Sequence, residues 1–137
     1  MLKSVAIAGA LALVLCVAGP ASAMDLSGEW VNTSDVYGAA NGGGMHGGKE
    51  TGKRIRSGKS ALSLTIEVHD GSGLTGTWCS AKACESLVGV VRRDGTLLMA
   101  DEDTYFLGTL YGEEMELCTL EAGKDFQLAT CRMIRKK

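Results

Sequence analysis

The sequence predicts an all-β fold, and three observations carry that reading. Residues 61–70 alternate, with Leu62, Leu64, Ile66 and Val68 on one face and Ser63, Thr65, Glu67 and His69 on the other, which is the period of a strand with one wet side. Later apolar runs are short and separated by turn chemistry at Gly71-Ser72-Gly73, Arg93-Asp94-Gly95, Asp101-Glu102-Asp103, Tyr111-Gly112-Glu113 and Glu121-Ala122-Gly123-Lys124. Nothing beyond the N-terminal apolar run reads as a helix. Short sequential strands favour an antiparallel up-and-down meander, and about eight of them close into a small barrel without a free edge. A small β-sandwich is the alternative.

Taken in order, Lys3, the apolar residues 5–17, Pro20 and Ala21-Ser22-Ala23 predict a signal peptide over 1–23, cleaved after Ala23. The run is shorter than the roughly 20 residues that span a bilayer. Residues 24–137 are therefore expected as one domain, exported to the periplasm or the extracellular space without membrane insertion. The near-balanced formal charge of −2 supplies no long-range attraction to nucleic acid.

The first strand is placed at 28–32. Residues 33–60 follow as one long irregular loop, dense in glycine (Gly42, Gly43, Gly44, Gly47, Gly48) and then in base (Lys49, Lys53, Arg54, Arg56, Lys59). Such a loop is either disordered or a lid or partner-binding element. After the 61–70 strand, Leu74, Gly76 and Trp78 continue an inner face, and further strands are expected at 86–92, 96–100, 104–110, 114–120 and 125–135. Leu64, Ile66, Trp78, Leu107, Met115, Leu117 and Phe126 are the expected core. In a closed meander the connections alternate between two ends, so 33–60, 80–85, 101–103 and 121–124 gather at one of them, the expected mouth. A weak latch is expected there between the basic half of the long loop and Asp101-Glu102-Asp103. Residues 87–91 and 97–100 are apolar on both faces, which calls either for another copy of the chain or for cover by the long loop.

Four of the five cysteines lie beyond the leader, and an even number in an oxidising compartment reads as disulfides rather than a metal site. Cys118 and Cys131 share an outward face on strands joined by one turn and should pair. Cys79 and Cys84 then clamp the loop between them. Gly47, Gly52 and Lys53 fit a phosphate-loop spacing, but Arg54 stands where a hydroxyl residue is needed. A hydrolytic triad would have to be built on one of the two histidines, His46 or His69, and no Ser or Cys lies in a nucleophile-elbow sequence. No enzyme activity, cofactor or metal is expected; Met45-His46 alone is too little for copper.

Gly28-Glu29-Trp30-Val31-Asn32 resembles the opening strand of lipocalins and avidins, and Gly73-Leu74-Thr75-Gly76-Thr77-Trp78 resembles an avidin-type strand with Trp78 in place of Tyr. The resemblance implies a calycin-like barrel with a ligand cup at the open end. It also implies a basic residue of the last strand, Arg132, over Trp30 as a barrel-closing pair. Asn32, Trp78 and Ser80 match ligand-contact positions of avidins, and Tyr105 completes the expected ligand-binding set. Trp30 and Trp78 are the only tryptophans, so the rings that would sandwich biotin are missing. The expected function is a non-enzymatic, exported binding protein for a small molecule. The alternative is a protein-interaction module, such as an inhibitor of an exported hydrolase, acting through 33–60. A cavity at the mouth favours the first reading and a filled core the second.

Overall fold

In the computed structural model, residues 25–43 and 51–137 are described, so the expected leader, Met45 and His46 lie outside them. The strands are β1 (Gly28–Asn32), β2 (Val36–Gly42), β3 (Arg54–Gly58), β4 (Leu62–Asp70), β5 (Gly73–Ser80), β6 (Cys84–Val91), β7 (Leu97–Ala100), β8 (Tyr105–Tyr111), β9 (Glu114–Ala122) and β10 (Phe126–Lys136). They form one antiparallel sheet in which β1, β4, β5, β6, β7, β8, β9 and β10 follow one another, and β10 returns to β1. This is the expected closed meander of eight strands; the sandwich is excluded. The two halves of the long segment, β2 and β3, form an extra hairpin.

That hairpin explains why 33–60 is not the irregular loop the composition suggested. β1 and β2 run consecutively along β10: Asn32 aligns with Ile134 and Tyr37 with Cys131. The interruption at 33–35 is bonded into place, because Thr33 N donates to Met133 O (2.9 Å) and Met133 N donates to Ser34 Oγ (2.8 Å). Glycine is required where β2 presses on β10. At Gly38 (φ 146°) a Cβ would lie 2.1 Å from Ala129 O, and at Gly42 (φ 83°) 1.9 Å from Asp125 O, so these glycines serve close approach rather than looseness.

The lower barrel is filled. Trp30, Leu64, Ile66, Leu97, Met99, Phe106, Met115, Leu117 and Ile134 are all buried inside it. Gly89 and Gly108 make room for Met99 and Met115. Two inward assignments change. Phe106 rather than Leu107 faces the core, because Leu107 aligns with the outward Cys118. A bulge between Ile66 and Val68 shifts the register of β4, so that His69 aligns with the buried Leu74. His69 therefore leaves the wet face and is half-buried.

Both expected disulfides are present, Cys79–Cys84 and Cys118–Cys131, as suits an oxidising compartment. The expected closing residues, Trp30 and Arg132, are both buried but are not register partners. Register sets Lys136 across from Trp30, and Arg132 lies four residues up the strand, donating to Ser60 Oγ (3.2 Å). The Trp30 indole instead donates to Leu26 O (3.0 Å). The reason is length: β10 runs on to Lys136, so Arg132 lies beyond the Asn32 end of β1.

Candidate functional site

The open end gathers the connections 80–84, 100–105 and 121–126 together with the hairpin. Trp78, inward on β5, packs its ring against Phe106 (5.4 Å between centroids). Its indole N–H donates to Asp101 Oδ2. The other oxygen, Asp101 Oδ1, accepts from Asp103 N (3.1 Å) and Thr104 N (2.7 Å), so one carboxylate both shapes the β7–β8 turn and fixes the Trp78 ring. Glu85, Asp101 and Asp103 bring carboxylate oxygens within 4.8 Å of one another. With Asp101 engaged by Trp78 and the turn amides, this cluster is first of all a folded turn.

Between this turn and 121–126 lies a cleft of about 840 Å³, bordered by Gly43, Asp101, Thr104, Tyr105, Glu121 and Phe126 among others. It lies at the rim and does not descend into the packed lower barrel. The expected ligand-binding residues are distributed around the open end rather than gathered in one cup. Trp78 is tied to the acidic turn. Ser80 accepts from Lys82 N and Ala83 N (both 3.2 Å) and so caps the loop that Cys79–Cys84 closes. Asn32 is at the opposite side, donating through Nδ2 to Ser60 O. Tyr105 belongs to the outer wall, 58% exposed, and only borders the cleft.

The sequence reading missed one feature and caught a second only in part. The first is the inner face of the hairpin: Arg54 and Arg56 align with Ala40 and Gly38, which align with Leu128 and Thr130 on β10. Arg54 donates to Gly42 O (2.7 Å) and lies over the Phe126 ring at 6.0 Å, so the basic segment is engaged by its own hairpin and by the 121–126 side of the mouth.

The second is the outer wall. Val88, Ala100, Tyr105, Leu120, Ala129, Ala39 and Ile55 align strand by strand from β6 to β3, an apolar rung reaching about 30 Å around the wall at roughly 4.8 Å per strand. The next rung runs Val90, Leu98, Leu107, Cys118, Cys131 and Tyr37. Val88, Val90 and Leu98 stay exposed, so the described part of the long segment does not cover them. At the hairpin end, Ile55 is 81% exposed beside a groove of about 490 Å³ bordered by Ala39, Asn41, Gln127 and Ala129. The expected apolar outer faces of 87–91 and 97–100 are this belt, and alternation could have extended it to Tyr105, which aligns with Ala100.

Fold and site together define a small disulfide-bearing antiparallel barrel with an appended hairpin. Comparison with protein-family models, curated proteins and solved structures finds no match for the chain.

Proposed function

We propose that this is an exported, non-enzymatic binding protein that engages a protein partner through the outer face and edge of the β2–β3 hairpin. The observation that carries the reading is the position of β3. It is the terminal strand of an otherwise closed sheet, with Ile55 exposed and basic residues on either side. An open edge with an apolar side chain accepts an added strand, and Lys53, Arg56 and Lys59 favour an acidic one. The filled lower barrel supports this reading over a deep ligand cup. A photo-crosslinking residue at position 55, in protein recovered from its own compartment, should trap a partner that the same residue at Thr75 does not. Equal capture at both positions, or none at 55, would count against it.

A second reading, a small molecule at the open end, draws on the cleft between 101–105 and 121–126. Native mass spectrometry should then show a bound mass that Phe126→Ala loses. Calycin-like descent belongs with either reading; the Gly-x-Trp opening strand and the eight-stranded meander support it.

A further inference from the structure

The seam where the hairpin leaves the barrel holds a buried cation that no carboxylate pairs with among the described residues. Arg132 is only 6% exposed. One guanidinium nitrogen donates to Ser60 Oγ, while its buried Nε has no partner. Thr130 Oγ1 and Thr119 Oγ1, on aligned inward positions of β10 and β9, are also buried without partners. So is Asn32 Oδ1, whose amide nitrogen is held by the same Ser60. These groups form one chain of neighbours: Asn32, Ser60, Arg132, Thr130 and Thr119. Beside Thr130 stands Gly38, where β2 presses on the β10 backbone, and beyond Gly38 stands Arg56.

A buried charge without a counter-charge is strongly unfavourable, and natural proteins pair such groups or bind an ion with them. Burial, and then the positive charge of Arg56, push the Arg132 pKa down from the usual arginine value. A hollow of about 300 Å³, lined by Ser34, Asp35 and Lys59 among others, meets the seam at Asn32 and Ser60. Its one carboxylate, Asp35, is exposed and faces Lys59 across the same hollow.

We propose that this seam binds a small oxyanion, a carboxylate or phosphate group, with Arg132 as its buried anchor and Arg56 as a second cation. The planar guanidinium suits either group. The threonine hydroxyls donate to the remaining oxygens, and Asn32 Oδ1 accepts from a hydroxyl of the ligand. The site shares Arg56 with the protein-partner reading, but its anchor Arg132 and Thr130 lie on β10 away from Ile55, so the Thr130 arm of the test is independent of that reading.

The test uses the disulfide-intact protein and two probes, inorganic phosphate and acetate, titrated while the Arg132 Nε–Hε resonance is followed by NMR. A saturable shift with either probe below tens of millimolar is expected, and the probe that binds more tightly identifies the source as phosphate or carboxylate. Arg56→Ala, at an exposed position, should weaken that binding about tenfold without lowering the melting temperature. Thr130→Val, close to isosteric, should weaken it as well. Shifts that stay linear for both probes, or binding that Arg56→Ala and Thr130→Val both leave unchanged, would overturn the proposal and leave Arg132 a plug for the seam.

Discussion

Trp78 on β5 and Asp101 after β7 are joined by a hydrogen bond from the indole N–H to Oδ2, which ties the barrel's inner wall to the turn at its open end. Because Asp101 also accepts two turn amides, its loss releases three donors at once. Asp101→Ala is expected to cost about 2 kcal/mol, in line with hydrogen bonds to a charged group. Trp78 emission should shift to the red as the ring gains freedom. Wild-type stability and emission in this variant would show the bond to be incidental.

The two disulfides should not contribute equally. Cys118 and Cys131 are 13 apart in sequence and Cys79 and Cys84 only 5. In the chain-entropy account the longer loop is worth about 3 kcal/mol and the shorter one less. Cys118→Ala with Cys131→Ala should therefore lower the melting temperature more than Cys79→Ala with Cys84→Ala. The reverse order in thermal melts would overturn this ranking.

Interior glycines can be ranked by what a methyl group would meet. At Gly76 it would lie 2.1 Å from the backbone oxygen of Thr65, whereas at Gly108 its nearest neighbour is Met115 Sδ at 2.8 Å. A methionine end can swing aside and a paired strand cannot. Gly108→Ala should cost about 1 kcal/mol and Gly76→Ala about 3 kcal/mol or more. Urea denaturation of the two variants measures the difference directly.

Acid titration offers a local check at the closed end. Hydrogen bonds from the Thr96 hydroxyl (2.6 Å) and amide (3.0 Å) hold the Asp94 carboxyl below its ordinary 3.8. A folded pKa below the unfolded one means the contribution is present above the unfolded value and is lost as pH falls through the folded one. Carbon-13 NMR should place the Asp94 midpoint under 3.8, and Thr96→Val should move it upward. No movement would assign the shift elsewhere.

The apolar outer rungs predict association. With Val88 63% and Leu98 46% exposed, sedimentation at micromolar concentration should give a mass above that of one chain. Val88→Lys with Leu98→Lys should return it to one chain. A wild-type protein that already sediments as one chain would leave the belt to other partners.

Much of the barrel was legible because Leu62, Leu64 and Ile66 alternate cleanly and each turn carries its own chemistry. The failures have distinct causes. Residues 105–111 are apolar on both faces, so nothing local tells Phe106 from Leu107. The bulge that turns His69 inward leaves no mark in Ile66-Glu67-Val68. β2 was hidden because Val36-Tyr37-Gly38-Ala39-Ala40 uses small residues to approach β10 and so lacks the bulky pattern of a strand. The candidate anion seam was illegible for a related reason: Asn32, Ser60 and Arg132 meet only because the 33–35 interruption shifts where the first strands run along the last.

The pairing of Trp30 with Lys136 carries a kinetic consequence. From β4 to β10 each strand pairs with its sequence neighbour, so those contacts form at little loop-closure cost, whereas the β1–β10 seam must bring together segments separated by nearly the whole described chain. Closure is then the late event of folding. Substitutions in that seam should speed unfolding while leaving the folding rate almost unchanged, and the barrel is opened most readily along the line where it is sealed last.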